Sequence, residues 1–508
     1  MAETKKSNKS KFLFLIAFIS GMVIMSVEMS ASRLLAPHFG TSIFVWTNII
    51  GLVMIALSLG YYFGGKLADK NSSRIQLMKI ILLASVFIII IPLMIRPVVD
   101  LTTMDIFKAN ISSIIILVGS FFSTLLLFVF PIFLLGMVSP YIIKLLSIDD
   151  KNIGNISGSV FAFSTLGSIL GTFISTLILI PTIGTKRTIM ASALVLMLFS
   201  TIGLMKKNKK YLILILLFLP LMFLNIYVIK NDAKAVYEVE SPYQYIQVVN
   251  ESDGTNYLFY NEGMGINSVY NPDKNITGYY YDYYNVLPEM VDKKELDVLI
   301  IGFAGGTIAN QFKYFSDDKV INIDGVEIDD KVVEISKKYF DTDNKGFNIY
   351  NQEGRMFLNQ TDSQYDLIII DAYNNQLQIP FHLATREFFG LVKNKLKENG
   401  KVAINVNAES QNSDLLIAIS NSIACNFTNT NIVPVNHSYN YMIVGSDNDI
   451  NYDKISNKDI KPELGSVLKF IKNYNYDYNY DNDGIELTDD RAPIEYLTDK
   501  MILEYLRE

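Results

Sequence analysis

The chain has 508 residues, half of them hydrophobic, and a formal net charge of −7. This length exceeds one ordinary domain, and the hydrophobic fraction favours a membrane part joined to a soluble part. The acidic balance and the lack of a concentrated basic face in the second half argue against nucleic-acid binding. A single cysteine, Cys425, excludes an intrachain disulfide, and three scattered histidines give no zinc spacing, so we expect no metal.

The first 235 residues are predicted to form an integral membrane helical bundle. Apolar segments, most of them long enough to cross a hydrocarbon core of about 30 Å, lie at 12–30, 44–64, 76–98, 111–146, 157–181, 187–205 and 211–229. They predict seven crossings, or eight if the segment 111–146, which contains Pro131 and Pro140, forms a hairpin. No small-residue cleavage site follows the first segment, so it should stay attached.

Lysine and arginine are concentrated at the amino terminus, after the second segment and at 206–210. The positive-inside rule places these three clusters in the cytoplasm, and seven crossings satisfy it. Seven crossings put the soluble part outside the cell. Eight crossings put it inside, but they also move 206–210 to the outer face.

Two features of the bundle suggest either packing or function. Glu28 and Arg33 lie in or near the end of the first apolar segment. An ionisable group within the membrane suggests a functional site, which here would be a proton or cation pathway. The alternative is that Glu28 pairs with an arginine or caps a neighbouring helix. Glycines four positions apart, at 60 and 64 and at 167 and 171, predict close helix packing.

The second half is predicted to be an α/β domain preceded by a small β unit. Residues 236–296 contain short aromatic and β-branched runs separated by turns, which predict a small antiparallel unit. From 297 to 508, apolar strands alternate with helices and predict a Rossmann-like, methyltransferase-type doubly wound parallel sheet. We expect the tyrosine-rich stretch 473–484 to be a solvated loop.

Three features fall at the carboxyl ends of predicted strands, where doubly wound sheets bind ligands. Glu327 ends one strand. It lies about as far downstream of the glycine-containing turn at 302–306 as the acid that binds ribose hydroxyls in nucleotide-binding folds. Asp371 ends the apolar strand YDLIIID, where its carboxylate would enter the crevice or merely cap the strand end. The third feature is a turn in which absent side chains would let a ligand approach the backbone, formed by Gly302, Gly305 and Gly306.

The glycine turn is neither the dinucleotide fingerprint nor a Walker motif with its lysine. A nucleoside ligand without a pyrophosphate fits it better. S-adenosylmethionine and its decarboxylated form are ligands of this kind.

Six motifs of the second half, taken in order, resemble the spermidine synthases, the polyamine aminopropyltransferases: PYQYIQV, GYYYDYY, IGFAGGT, VEID, EGRMFL and YDLIIIDAYNN followed by IPFHLATREFF. The first half, with ISGMVIMSVEMSASRLLAPHFGTS and LGYYFGGKLAD, and the ending LTDDRAPIEYL resemble the subgroup in which a multi-span segment precedes the synthase-like domain. The resemblance covers nearly the whole chain.

The resemblance implies a role for each matching residue. It makes Asp371 the catalytic aspartate. It assigns cofactor binding to Gln244, Gly302, Gly305, Gly306, Glu327, Glu353 and Gly354. Within this set, Glu327 would bind the ribose, and Glu353 and Gly354 would lie beside the adenine. It assigns substrate binding to Tyr280, Tyr281, Tyr373 and Asn374. Ala304 and Asn374 stand where the family usually has acids, and Glu353 stands where it usually has Asp. The loss of two carboxylates weakens the electrostatic preference for a cationic substrate.

We therefore expect a membrane-bound transferase that moves an aminopropyl group from decarboxylated S-adenosylmethionine, or uses S-adenosylmethionine, and that needs no metal. A neutral amine would attack the carbon beside the sulfonium, and a carboxylate would orient the amine and receive its proton. The expected partners are a small amine, the lipid bilayer and, as in soluble relatives, a second copy in a homodimer.

A cofactor made in the cytosol favours a multi-pass protein of the cell membrane with a cytoplasmic soluble domain. Two alternatives remain open. One is an S-adenosylmethionine-dependent methyltransferase, since the same site can present the methyl carbon. The other is a transporter or sensor whose soluble domain binds polyamine or nucleoside without catalysis and acts on the bundle that contains Glu28.

Overall fold

A computed structural model describes residues 2–103, 115–148, 152–205, 209–223, 234–263, 265–343, 345–373, 377–456 and 460–504. The chain divides into two compact units, Met1–Asn231 and Asp232–Glu508. Within the described residues, the first unit is helical and the second contains two β-sheets.

The described part of the first unit contains six helices that are long and apolar enough to cross a membrane. They are Ser10–Phe39, Ile43–Lys70, Arg74–Thr102, Leu117–Ser147, Ile153–Ile183 and Thr185–Leu204. Of the seventh predicted segment, Leu212–Phe223 is a short apolar helix. The residues that follow it, 224–233, lie outside the described part of the chain.

The hairpin considered for 111–146 is not formed in the described residues. One helical run covers Leu117–Ser147 and contains both Pro131 and Pro140. A π-helical turn, Leu125–Val129, comes just before the first proline. Because proline lacks an N–H and its ring clashes with the preceding turn, a wider turn at this point lets the helix continue.

Glycines bring two pairs of these helices into backbone contact, which confirms the packing prediction. A Cβ on Gly167 would lie 1.8 Å from the carbonyl oxygen of Phe18, and one on Gly171 would lie 2.1 Å from that of Met22 in the same helix. In the second pair, a Cβ on Gly60 would lie 2.4 Å from the carbonyl oxygen of Phe133. Any larger residue at these positions would separate the helices.

Glu28 is half-buried on the first helix. Among the described residues it makes neither a hydrogen bond nor an ion pair, so the expected pairing with an arginine or capping of a helix is not observed. The polar contacts nearby involve serines: the hydroxyl of Ser26 lies 2.7 Å from that of Ser192 and 2.6 Å from that of Ser175. These buried hydroxyl contacts join three helices.

The second unit begins with a four-stranded antiparallel sheet in the order β1-β2-β3-β4. The strands are β1 (Ala235–Glu240), β2 (Tyr245–Asn250), β3 (Asn256–Tyr260) and β4 (Ser268–Tyr270). Apolar residues of β2 and β3, including Ile246 and Leu258, are buried against Val332 and Ile335 of a helix in the larger domain. This contact attaches the small sheet to the α/β domain.

The larger sheet has eight strands in the order β12-β10-β11-β9-β8-β5-β6-β7. They are β5 (Glu295–Ile301), β6 (Val320–Glu327), β7 (Asn348–Asn351), β8 (Tyr365–Ile370), β9 (Leu396–Asn407), β10 (Asn429–Pro434), β11 (Asn440–Ser446) and β12 (Tyr476–Asp477). Strands β7, β6, β5, β8 and β9 are parallel, whereas β11, β10 and β12 join by antiparallel pairing.

The sheet is therefore mixed, which corrects the expectation of a wholly parallel sheet. The reason is the short connection between β10 and β11, residues 435–439. A connection of this length can join antiparallel neighbours, but it is too short for the crossover that parallel strands require.

Helices cover both faces of the large sheet, because successive residues of a strand point to opposite sides. Ile300 of β5 packs in one core with Phe312, and Ile301 packs in the other with Phe388. The helices of this unit are Tyr281–Tyr284, Thr307–Phe315, Asp330–Tyr339, Gly354–Gln360, Arg386–Asn394, Asp414–Ala424, Gly465–Tyr474 and Ile494–Glu504.

The stretch 473–484 is not the solvated loop predicted from its composition. Tyr476 lies in β12 and pairs with Ile432 of β10. The hydroxyl of Tyr478 donates a 2.8 Å hydrogen bond to Oδ1 of Asn421. These tyrosines close the antiparallel edge of the sheet.

The strand order reverses between β5 and β8, since the chain runs from β5 through β6 to β7 and then returns to the other side of β5. A crevice opens at such a reversal, beyond the carboxyl ends of the strands. The residues that follow β5, β6 and β8 therefore meet at one edge of the sheet.

Candidate active site

The glycine turn after β5 is held against the segment that follows β8. Gly302 has φ 86°, and a Cβ there would lie 2.4 Å from the carbonyl oxygen of Asp371. Both the left-handed backbone and the close approach require glycine. Gly306, with φ 78°, is the N-cap of the helix Thr307–Phe315, so backbone N–H groups at the helix start are presented beside the crevice.

Strand β4 of the small sheet supports this turn from the other side. The N–H of Gly305 donates to Oγ of Ser268 at 2.8 Å. The hydroxyl of Thr307 donates to the carbonyl of Val269 at 2.9 Å and accepts from its N–H at 2.8 Å. The sequence analysis did not identify Ser268, because its role depends on a contact between two sheets.

Glu327, the last residue of β6, is 7% exposed. Its carboxylate accepts hydrogen bonds from the backbone N–H of Ala304 at 2.9 Å and of Asp329 at 3.1 Å. Burial raises the pKa of Glu327 to about 7, against the effect of these two hydrogen bonds. The side chain thus joins the glycine turn to the loop after β6.

Asp371 follows β8 directly. Its N–H donates to the carbonyl of Ile301 at 2.8 Å, and its Oδ2 accepts a 2.9 Å hydrogen bond from the hydroxyl of Tyr280. The other oxygen, Oδ1, is buried and makes no hydrogen bond of normal geometry within the described chain. Burial raises the pKa of Asp371 to about 7, although the side chains of Tyr280 and Asn405 lower it. A carboxyl of this pKa is suited to general base catalysis near neutral pH.

Tyrosines surround Asp371. The hydroxyl of Tyr281 donates to the carbonyl of Ile266 at 2.8 Å, and that of Tyr373 donates to the carbonyl of Asn405 at 2.7 Å. Burial, followed by the negative charge of Asp371, raises the pKa of both tyrosines, so the hydroxyls remain protonated donors.

Two further tyrosines of the site were missed by the sequence analysis. The hydroxyls of Tyr260 and Tyr284 are buried and have no hydrogen-bond partner among the described residues. Burial raises the pKa of Tyr260, and the charges of Glu327, Asp329 and Asp371 raise it further, so this side chain lies among all three acids. Tyr284 belongs to the motif GYYYDYY, whereas nothing local distinguishes Tyr260 from other strand tyrosines.

The loop that carries Tyr280 is fixed by Asp282, which is 2% exposed. Its carboxylate accepts hydrogen bonds from the N–H of Thr277 at 3.0 Å, the N–H of Gly278 at 2.7 Å and Nε2 of Gln311 at 2.6 Å. Gln311 lies on the helix that starts at the glycine turn. Asp282 therefore links the Tyr280 loop to that helix.

Gln244 lies in the turn between β1 and β2 and is partly exposed. Its N–H donates to Oγ of Ser241 at 3.0 Å, and the Ser241 hydroxyl donates to Oδ2 of Asp329 at 2.5 Å. The turn is thereby held beside the loop after β6.

Glu353 follows β7 and caps the helix Gly354–Gln360. Its carboxylate accepts from the N–H of Arg355 at 2.9 Å and of Met356 at 2.8 Å, and Oε1 lies 3.0 Å from Nε2 of His382. Burial alone would raise its pKa, but the bonds from His382 and the two N–H groups outweigh burial and lower it to about 2. A Cβ on Gly354 would lie 2.4 Å from Cγ2 of Ile301.

The crevice thus brings together the glycine turn, Glu327, Asp371 and the tyrosines at 280, 281 and 373, with Glu353 and Gly354 beside them after β7. Ala304 contributes a backbone N–H from a left-handed conformation, φ 46°. Asn374 lies outside the described residues.

This arrangement coincides with a known domain. Residues 279–454 match the family model of the spermine/spermidine synthase domain. This part of the chain is therefore similar to the spermidine synthases. The matched range contains the glycine turn, Glu327, Glu353 and Asp371, whereas Gln244 and Tyr260 precede it.

Curated relatives carry aminopropyltransferase names. A probable polyamine aminopropyl transferase from Bifidobacterium longum is 32% identical over 288 residues, which cover 52% of this chain and 63% of the relative. Polyamine aminopropyltransferase 1 from Aquifex aeolicus is 29% identical over 174 residues, covering 33% of this chain and 59% of the relative. The chain therefore spans less than two thirds of the length of these relatives.

Among solved structures, a probable spermidine synthase from Corynebacterium glutamicum is similar to half of this chain. It shares 17% sequence identity with a TM-score of 0.41, over 50% of this chain and 96% of the other. A spermidine synthase from Thermotoga maritima gives 21% identity and a TM-score of 0.36, over 48% of this chain and 81% of the other.

Proposed function

We propose that the protein transfers an aminopropyl group from decarboxylated S-adenosylmethionine to a polyamine, with Asp371 as the general base. The proposal rests on the carboxyl of Asp371, which lies at the reversal of strand order. One of its oxygens is fixed by Tyr280, the other is buried without a normal hydrogen bond, and its pKa is raised to about 7. Such a group accepts a proton efficiently at neutral pH.

The nucleoside would bind across the glycine turn. Glu327 would accept hydrogen bonds from the ribose hydroxyls, and Glu353 with Gly354 would lie beside the base. The missing side chains at positions 302, 305 and 306 would allow close approach to the backbone. Gln244 would contact the cofactor from the small sheet. The cofactor, when bound, supplies a carbon made electrophilic by the adjacent sulfonium.

The amine would lie between Asp371 and the tyrosines. Its neutral nitrogen attacks the carbon beside the sulfonium, a C–N bond forms, the C–S bond breaks and 5′-methylthioadenosine leaves. The proton released by the new ammonium passes to Asp371. Holding both reactants in one crevice removes much of the entropic cost of their encounter.

The charges around the crevice favour a cationic ligand. Among the described residues, the main influences on the pKa values of Glu327 and Asp371 include no positive charge from a lysine or an arginine. The two carboxyls are instead surrounded by tyrosine hydroxyls and backbone N–H groups. A polyamine would provide the positive charge that this site lacks.

We infer that the six long helices cross the membrane and that the second unit is cytoplasmic. Six crossings return the chain to the face of its lysine-rich amino terminus and place 206–210 there as well, which satisfies the positive-inside rule. The exposed thiol of Cys425, the single cysteine of the chain, offers a test. In intact cells a membrane-impermeant maleimide should label it only after permeabilisation, and labelling without permeabilisation would refute the assignment.

The activity is tested by mass spectrometry of amines incubated with detergent-purified protein and decarboxylated S-adenosylmethionine. We expect an amine heavier by one aminopropyl group with the wild type and none with Asp371→Asn. The matched control is Asp362→Asn, an exposed aspartate in the loop before β8. A methylated amine formed with S-adenosylmethionine would support the methyltransferase alternative, and the absence of any product would refute the proposed transfer.

A further inference from the structure

A segment near the carboxyl end of the chain, residues 486–491, lies against the part of the site where the nucleoside base would bind. The N–H of Arg386 donates to the carbonyl of Leu487 at 2.9 Å, and the N–H of Asp489 donates to Oε2 of Glu387 at 3.1 Å. The following helix, Ile494–Glu504, has its first residue fully buried in the domain core. The segment is therefore held in place on both sides.

Asp489 provides the main polar contact of this segment. Its Oδ1 and Oδ2 accept parallel hydrogen bonds from Nη1 and Nη2 of Arg355 at 2.7 and 2.6 Å. Oδ1 also accepts from the hydroxyl of Thr385 at 2.7 Å. A bidentate guanidinium–carboxylate pair with a third donor has a fixed geometry, which a single point contact does not provide.

Arg355 connects Asp489 to Glu353. The N–H of Arg355 donates to Oε1 of Glu353, and its Nη1 donates to the carbonyl of His382 at 3.1 Å. Nε2 of His382 in turn lies 3.0 Å from the same Glu353 oxygen. Glu353, Arg355 and His382 therefore form a closed ring of contacts, to which Asp489 is joined through Arg355. Among the described residues, Oε2 of Glu353 has only the N–H of Met356 as a partner.

We propose that Asp489 is a positioning residue for the nucleoside base, acting through Arg355 and His382 on the carboxylate of Glu353. The inference rests on the proposed function, since Glu353 meets a base only if a nucleoside binds. Oε2 of Glu353 keeps a lone pair for the exocyclic amino group of an adenine. The carboxyl-terminal segment thus forms part of the nucleoside site, although the site's glycine turn and acids come from other elements.

The charge of Asp489 matters because its removal changes the partner of Arg355. The Arg355 side chain is 22% exposed and lies near three acids, Asp489, Glu387 and Glu353. Because Glu387 already pairs with Arg386, the guanidinium without Asp489 would turn to Glu353 and occupy the oxygen that the adenine needs. We therefore expect Asp489→Asn to weaken nucleoside binding about tenfold, the size of a lost hydrogen bond to a charged group.

The experiment measures the binding of 5′-methylthioadenosine to the full-length detergent-purified protein by calorimetry. The variants are Asp489→Asn, Asp489→Glu and Asp490→Asn. Asp490 is the matched control, because it is adjacent, exposed and without a polar contact among the described residues. We expect a dissociation constant about tenfold higher for Asp489→Asn, a smaller change for Asp489→Glu and no change for Asp490→Asn.

A merely structural role predicts a different pattern. If Asp489 positions the adenine, its loss should raise KM for decarboxylated S-adenosylmethionine and leave kcat nearly unchanged. A general loosening of the domain would instead lower kcat and the thermal midpoint together. In an Arg355→Gln background, Asp489→Asn should have little further effect, because the two residues act as a pair. If Asp489→Asn does not fold, Arg355→Lys, which keeps the charge and loses the parallel bonds, should still weaken binding.

The outcomes separate the two proposals. Wild-type affinity in Asp489→Asn, with the wild type binding the nucleoside, would overturn this inference alone. Failure of the wild type to bind the nucleoside would overturn the proposed function, and this inference with it.

Discussion

The hydroxyl of Tyr280 donates a 2.9 Å hydrogen bond to Oδ2 of Asp371 across 91 positions of sequence. The bond fixes one carboxylate oxygen, and in the proposed reaction the other would face the amine. Removing it in Tyr280→Phe should lower kcat by about 10- to 100-fold, because the base loses its orientation.

The same change should raise the pKa of Asp371, since Tyr280 lowers it. The acidic limb of the pH–rate profile should therefore move to higher pH. Steady-state kinetics between pH 5 and pH 9 would measure both effects. Tyr474→Phe, an exposed tyrosine on a separate helix, is the control, and an unchanged profile in Tyr280→Phe would contradict the assigned role.

The wild-type enzyme should lose activity as the pH falls through about 7. The pKa of Asp371 and that of Glu327 are both raised to about 7 by burial. Only the deprotonated form of Asp371 accepts a proton, so kcat/KM, which reports the free enzyme, should decline below that pH. An acidic limb near pH 4, the ordinary range of a carboxyl, would contradict this prediction.

Asp371→Asn should stabilise the folded protein at pH 8. A carboxyl whose pKa rises on folding keeps its proton in the folded state at a pH where the unfolded chain has lost it, so the free energy of unfolding falls as the pH rises from about 4 to about 7. The asparagine amide does not titrate, so it adds no pH dependence to the free energy of unfolding. Its advantage should therefore grow over this interval and stay constant above it.

Pulse proteolysis of the second unit in the full-length protein would measure this difference at pH 5 and pH 8. A stabilisation that is equal at the two pH values would mean that the pKa of Asp371 is not raised.

Asp282→Asn should lower both stability and turnover. Four donors, two from Thr277 and one each from Gly278 and Gln311, meet this buried carboxylate, and an amide presents a donor to at least one of them. The cost should be about 1 to 3 kcal/mol in the free energy of unfolding, and kcat should fall because the Tyr280 loop is displaced. Chemical unfolding and product assays would measure the effects. Asp273→Asn, on the exposed surface of the preceding loop, should change neither quantity.

Glu28→Gln distinguishes the transferase from a transporter. Among the described residues Glu28 makes no polar contact, and it lies in the helical unit. We expect this variant in detergent to form the aminopropylated product at the wild-type rate, whereas Asp371→Asn forms none. Polyamine uptake into proteoliposomes that is lost in Glu28→Gln and kept in Asp371→Asn would favour the transporter alternative.

The residues that end strands could be predicted from sequence, because the end of each short apolar run marks where its strand ends. Gly302, Glu327 and Asp371 follow or end β5, β6 and β8, and the sheet brings those ends to one edge. The left-handed backbone of Gly302 and its contact with the Asp371 carbonyl explain why glycine is needed at this point of the predicted turn.

Residues whose roles depend on distant contacts could not be predicted. Tyr260 is one of several similar tyrosines in the small sheet, and only the packing of that sheet brings it near Asp371. Asp282 resembles any polar residue of a loop until its donors are known. Composition was misleading at Tyr476, because a polar, tyrosine-rich stretch can still complete a sheet edge when a strand such as β10 offers free backbone groups.

The glycine contacts in the first unit have a mechanical consequence. The helix Ser10–Phe39 touches Ile153–Ile183 through backbone atoms at Gly167, and Ile43–Lys70 touches Leu117–Ser147 in the same way at Gly60. No side chain lies between the partners at these points, so a change in the separation or tilt of either pair would have to move backbone against backbone. We therefore expect each pair to keep its internal geometry when other parts of the bundle move.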